Sequence, residues 1–191
     1  MAIPQQSKRY SYADYLSWDD DVLCEVIEGV IISMSPSPTP LHQNIITELT
    51  TEFGLFLRDK KCVAFPAPID VCLFANKQTK DNDIKDWVQP DLIVVCDESK
   101  IGEKNIIGAP ELVIEVLSPS TAKNDRLIKY NSYEKAGVKE YWIVDPYNQT
   151  IEVYLLEGKT FVRNSVYFKD DILPVQLFED LQIELSNIFR S

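Results

Sequence analysis

A chain of 191 residues, 45% hydrophobic and 26% charged, has room for one sizeable soluble domain with a real core, and we read residues 1–191 as a single domain. Its formal net charge of −11 argues against a broadly basic surface, so any nucleic-acid role must use a local patch or a partner protein. No stretch approaches the roughly 18 to 20 continuous apolar residues of a membrane helix, and the first residues carry no hydrophobic signal region, so no membrane association and a cytoplasmic location are expected.

The pattern Ser-Tyr-Ala-Asp-Tyr-Leu from Ser11 predicts a short helix capped by Ser11 and ended by Asp19-Asp20-Asp21. Leu23 to Met34 holds two apolar runs around Glu28-Gly29, the pattern of a tight hairpin with Gly29 supplying positive φ. The proline-rich Ser35 to Pro40 interrupts regular structure, and Thr39-Pro40 then starts an amphipathic helix to about residue 58. Cys62–Phe65 and Ile69–Phe74 are strand-like, the second carrying Asp70 in an apolar run. Residues 76–87 are polar without periodicity and are expected to form an exposed loop. Val88–Cys96 reads as a buried strand opened by Pro90-Asp91, followed by a mobile connection from 97 to 109.

The apolar run Leu112–Leu117 has the composition of a buried strand yet holds Glu115 at its centre, where an unpaired carboxylate is expensive. Ser118-Pro119-Ser120-Thr121 breaks it. A helix over about 124–136 then places Asp125, Lys129 and Tyr133 four apart on one face, with Gly137 as its C-terminal cap. Glu140–Asp145 is a further strand, with Trp142 read as core, and 151–156 pairs with 160–163 in a second hairpin around Glu157-Gly158-Lys159. The tail 177–189 is apolar but weakly periodic. The cysteines Cys24, Cys62, Cys72 and Cys96 stand singly, without Cys-x-x-Cys pairs or a nearby histidine, and read as small buried hydrophobes in a reducing compartment.

The charges embedded in apolar context are Glu28, Asp70, Asp91, Glu115 and, one helix later, Lys129. Carboxylates on neighbouring strands can share a hard cation such as Mg²⁺ or Mn²⁺, which offsets their repulsion. With Asp91 and Glu115 as ligands and Lys129 supplying positive charge, such a site suits hydrolysis of a phosphodiester. Each residue also has a plain structural reading: Glu28 shapes the hairpin bend, Asp70 faces water from an edge strand, and Tyr133 is core. His42, the single histidine, caps or packs its helix, or binds metal, or acts as a base.

Pro90-Asp91, Glu115, Ser118-Pro-Ser-Thr121, Asp125, Lys129, Tyr133 and Gly137-Val-x-Glu-Tyr-Trp-Ile-Val-Asp-Pro146 together resemble the Uma-type endonuclease family, a branch of the restriction-endonuclease-like PD-(D/E)xK superfamily. The similarity extends back through Glu28-Gly29 and His42. It implies an α/β fold, a mixed β-sheet core flanked by helices, to which the two hairpins read above add an N-terminal and a C-terminal element. It also implies Mg²⁺ held by Asp91, Glu115 and the Val116 backbone carbonyl, DNA as the expected partner, and a homodimer that pairs two sites. The superfamily places its lysine two residues after the glutamate, but position 117 is Leu, and Lys129 on the next helix stands in that role. A non-catalytic binding or assembly module retaining the nuclease fold is the alternative, motivated by the −11 charge and this displaced lysine.

Overall fold

Ser11 caps α1 (Tyr12–Tyr15) through a reciprocal box, its Oγ accepting the Asp14 N–H while its own N–H donates to the Asp14 carboxylate. The computed structural model describes residues 8–18, 22, 24–32 and 38–190, so the acidic run after α1 and residues 33–37 of the proline-rich turn lie outside them. β1 (Glu25–Ile27) and β2 (Val30–Ile32) form the expected hairpin, with left-handed Glu28 and Gly29 at φ 53° and 77°. Thr39 caps α2 (Pro40–Leu57) by accepting the His42 N–H, and the helix buries Ile45, Leu49 and Phe53.

β3 (Val63–Pro66) and β4 (Asp70–Cys72) follow, then β5 (Leu92–Val95), β6 (Asn105–Ile107) and β7 (Leu112–Val116). Next comes a π-helical stretch, Asn124–Lys129, that continues into α3 (Tyr130–Ala136) and stops at Gly137 with φ 87°. β8 (Glu140–Asp145), the hairpin β9 (Thr150–Glu157) and β10 (Thr160–Phe168), β11 (Ile172–Pro174), β12 (Gln182–Glu184) and α4 (Leu185–Ile188) complete the chain.

A six-stranded sheet in the order β10-β9-β8-β7-β5-β3 organises the fold, parallel only between β7 and β8. That one parallel pair is joined through α3, as a parallel connection requires. Strand alternation sends Leu92, Val94, Leu112, Ile114 and Trp142 to a core shared with α2 and α4. The opposite face, carrying Ile93, Val113, Tyr141 and Ile143, is covered by Tyr133 and Val138. The mixed sheet, flanking helices and two hairpins are those expected. The weakly periodic tail supplies β12 and α4, and buries Leu181, Ile183, Leu185, Ile188 and Phe189.

Three sequence expectations need correction. The segment 76–87 is not wholly an exposed loop: Ile84 and Trp87 are buried, and Trp87 exchanges backbone hydrogen bonds with Val26 at 2.8 and 2.9 Å. With Tyr10, Tyr12, Cys24 and Cys72 they form a small third core that the polar neighbours in sequence concealed. The connection 97–109 contains a 3₁₀ turn, Glu98–Lys100, and β6, which pairs in parallel with β4. Cys62 and Cys96 are disulfide-bonded rather than free, because they stand one step beyond the antiparallel register pair Val63↔Val95, a proximity that 34 residues of sequence separation hide. Cys24 and Cys72 are buried and free, as expected.

Candidate active site

The β5–β7 register pairs Leu92 with Ile114, so the next position sets Asp91 opposite Glu115. Residues so placed have side chains on one face about 5 Å apart at Cβ, and like charges there repel. Asp91 is anchored by accepting the Val116 N–H on Oδ2 at 2.7 Å. Glu115 is only 3% exposed, and its compensation comes from the helix. Lys129 Nζ lies 2.8 Å from Glu115 Oε1, and Tyr133 donates its hydroxyl to the same oxygen at 2.5 Å.

Lys129 has two further partners. Its Nζ is 2.8 Å from Glu25 Oε1 and 3.6 Å from Asp125 Oδ1. The helix carrying these groups is π-wound from Asn124 to Lys129, a local widening that recurs at functional sites. Asp125, Lys129 and Tyr133 are all buried, so the four-residue spacing read in the sequence does turn one face onto the sheet.

Three carboxylates, Glu25, Glu115 and Asp125, therefore surround one ammonium, and a fourth, Asp91, stands opposite Glu115 on the next strand. Burial pushes the Glu115 carboxyl well above the ordinary range; Lys129 opposes this, and Asp125, Asp91 and Glu25 reinforce it. Asp125 is raised by burial against the pull of Lys129. Burial alone would lower Lys129, but Glu115, Glu25 and Asp125 hold it well above its ordinary value, so it stays cationic.

His42 does not cap α2 with its side chain; it reaches from the helix start to the end of β7. Its Nε2 donates to the Val116 carbonyl at 3.0 Å and lies 3.4 Å from Asp91 Oδ2, which fixes the proton on Nε2. Nδ1 is buried without a hydrogen-bond partner among the described residues. Burial works to lower the His42 pKa, but the hydrogen bond and charge of Asp91 and the Val116 carbonyl raise it overall.

A cavity of about 570 Å³ opens over this cluster, lined by Glu25, His42, Asp91, Glu115, Val116, Asp125 and Lys129 among others. Its donor set suits a hard cation. Glu115 is engaged through Oε1 and Asp91 through Oδ2, and the surplus of carboxylates over ammonium calls for positive charge. No group of three or more His, Cys, Asp or Glu side chains among the described residues forms a ready-made cage. Two carboxylates with open positions fit Mg²⁺, which keeps several waters and is held by one or two carboxylates plus substrate oxygens. The Val116 carbonyl lies at the cavity but is engaged by His42.

Two expected residues do not join the cluster. Glu28 stands at the hairpin bend with a side chain 70% exposed, 3.8 Å from Lys135, because its left-handed turn points it away from the sheet. Asp70 accepts the Tyr12 hydroxyl and the Gln89 side-chain amide, both at 2.7 Å, and does not line the cavity. Sequence reasoning missed Glu25 and Gln89. Gln89 donates its N–H to Glu25 Oε1 at 2.8 Å and so links Asp70 to the site. Glu25 gives the same signal as Glu115, a carboxylate inside the apolar run Leu-Cys-Glu-Val-Ile, but the neighbouring Glu28-Gly29 bend is the stronger local pattern and masks it.

A mixed sheet with facing strand carboxylates and a helix-borne lysine at its centre defines a restriction-endonuclease-like fold. A model of the Uma2 family, described as "Putative restriction endonuclease", matches residues 12–186, and the chain belongs to that family. The chain is 27% identical over 183 residues to "Uncharacterized protein slr1290" of Synechocystis, covering 92% of this chain and 85% of that protein. It also resembles the crystal structure of a "putative nuclease" from Anabaena variabilis, with TM-score 0.71, 23% identity and coverage of 94% of this chain and 97% of the other. No helix among the described residues is long and apolar enough to cross a membrane.

Proposed function

We propose that this chain is an endonuclease that hydrolyses phosphodiester bonds of nucleic acid, foremost DNA, with Mg²⁺ or Mn²⁺ held by Asp91, Glu115 and the free face of the Val116 carbonyl. A bound cation supplies charge to the scissile phosphate and makes an attacking water more acidic. The protein's own groups prepare that site. Lys129 and Tyr133 both engage Oε1 of Glu115, which leaves Oε2 for the cavity. His42 fixes the Val116 carbonyl and stands beside Asp91, and the Val116 N–H holds Asp91 Oδ2 in place. The ammonium of Lys129 sits at the cavity floor, where it favours the negative charge that develops during displacement at phosphorus.

The observation that carries this reading is the opposition of Asp91 and Glu115 on adjacent strands, with Lys129 Nζ 2.8 Å from the glutamate. The test incubates the protein with plasmid, linear and single-stranded DNA and with RNA, with Mg²⁺, Mn²⁺ or EDTA, beside Asp91→Ala and Glu115→Ala. Cation-dependent cleavage that both substitutions abolish is expected. No cleavage of any substrate, or cleavage surviving in both variants, would overturn the proposal.

A further inference from the structure

The rim of the cavity differs in chemistry from its floor. Among its lining residues Lys129 is the one lysine or arginine, and its ammonium is already committed to Glu25 and Glu115. The rim is instead built from hydroxyls and apolar groups, including Pro38, Pro119, Pro146 and Tyr147. Affinity for duplex DNA rests on lysine and arginine contacts to phosphates. A rim without them, on a chain of net charge −11, offers little of that.

Tyr147 is the feature that remains. It is 67% exposed, on the turn after β8, and it lines the mouth of the cavity. The turn that presents it is pinned: Asp145 Oδ1 accepts the N–H groups of Tyr147 and Asn148, both at 3.0 Å, and Oδ2 accepts the Asn148 side-chain amide at 2.8 Å. A large ring held out on an ordered turn is pre-organised for stacking, at little conformational cost on binding. Bases become available for stacking on side chains only when the strand is unpaired, and base–aromatic stacking is how proteins hold single strands without sequence readout. The volume of about 570 Å³ is that of a pocket that encloses a small ligand rather than one that straddles a double helix.

We propose that the site takes an unpaired strand, with a base next to the scissile phosphate stacked on Tyr147. The inference rests on the nuclease reading, in that the same cavity receives the phosphodiester. Binding, read independently of cleavage, separates the two. A fluorescein-labelled 15-mer is titrated with protein in EDTA and again in Ca²⁺, as single-stranded DNA, single-stranded RNA and duplex DNA of one sequence.

The single strands are expected to bind at least about tenfold more tightly than the duplex, in line with the size of stacking contributions. Tyr147→Ala is expected to lose about tenfold on single strands, to leave duplex binding and Tm unchanged, and to be rescued by Tyr147→Trp. The DNA and RNA arms then show whether one sugar is preferred. Equal affinity for duplex and single strand, no binding to any of the three, or full binding by Tyr147→Ala overturns the inference. If that binding pattern appears without cation-dependent cleavage, the nuclease proposal fails and only single-strand binding at Tyr147 stands; cleavage with unaltered binding by Tyr147→Ala overturns this inference and leaves the nuclease proposal standing.

Discussion

Lys129 bonds Glu25 as closely as it bonds Glu115, with both Oε1 atoms 2.8 Å from its Nζ. The ammonium therefore ties the N-terminal hairpin to the central strand through the floor of the cavity. Glu25 also receives the Gln89 N–H, so it is held from two sides. On the nuclease reading it is a positioning residue for Lys129. Glu25→Gln keeps an acceptor for Gln89 but removes the charge that fixes the lysine. The expected result is a fall in kcat of about 10- to 100-fold with KM retained, the scale typical of groups that orient metal ligands. Steady-state kinetics at saturating Mg²⁺ check this, and an unchanged kcat would remove Glu25 from the site.

Lys129→Met tests the same cluster through stability. The substitution keeps volume and leaves Glu25, Glu115 and Asp125 buried without their ammonium. Breaking a buried ion pair from one side costs about 3–5 kcal/mol, so urea unfolding at pH 7 should show a loss of that order. Protonation offsets the excess charge, so the loss should shrink as pH falls toward 5. Adding Glu115→Gln to Lys129→Met should restore part of it. A penalty independent of pH would mean that packing, not charge, is what Lys129 supplies.

Asp70 separates a structural carboxylate from the site's carboxylates. It accepts from Tyr12 and Gln89, and burial, reinforced by the Asp70 carboxylate, pushes the Tyr12 hydroxyl far up, so it remains a donor. Asp70→Ala takes the acceptor from the Tyr12 hydroxyl and leaves the Gln89 amide only the long 3.4 Å contact to the Tyr15 hydroxyl, at about 1–3 kcal/mol for a buried group left unsatisfied. Thermal or urea unfolding should register that loss, while cleavage per folded molecule stays within a few-fold of the wild type. Abolished cleavage in a folded Asp70→Ala protein would place Asp70 in the machinery.

What the sequence made legible follows from how local each signal is. The α2 boundary was readable because Thr39-Pro40 caps and starts a helix by itself, and Glu115 because a carboxylate inside a run of β-branched residues demands a partner within the fold. Asp91 became meaningful only with the strand register, which no local pattern states. The role of Glu25 depends on a hairpin folding under Trp87, which lies in a segment whose charged residues suggested solvent. The same polar masking hid β6. The π-winding at Asn124–Lys129 leaves no trace in composition, yet it lies where a displaced lysine must reach the strand.

The direction of the pH dependence is set by the same residues. Glu115 and Asp125 have folded pKa values above their ordinary 4.5 and 3.8, so the folded state binds their protons more tightly. Their contribution is fully present below those ordinary values and is lost as pH rises through the raised ones. His42, raised above 6.5, has the same sign, its contribution lost as pH rises through its folded value. Lys129 also follows it, but only above 10.5. Asp14 and Asp97 are held below 3.8 by their Ser11 and Ser99 hydrogen bonds, and act oppositely: their small, exposed contributions disappear as pH falls below about 4. Stability should therefore peak at mildly acidic pH and decline from pH 5 to pH 8. A cation at Asp91 and Glu115 competes with those protons, so Mg²⁺ should raise Tm more at pH 8 than at pH 5; wherever Mg²⁺ stands at a hundredfold excess over its Kd, the stabilisation is about 2.7 kcal/mol. Thermal unfolding across this range, with Mg²⁺ and with EDTA, measures both trends. Stability that rises from pH 5 to pH 8, or a Mg²⁺ effect equal at the two ends, would contradict the charge balance drawn around Lys129.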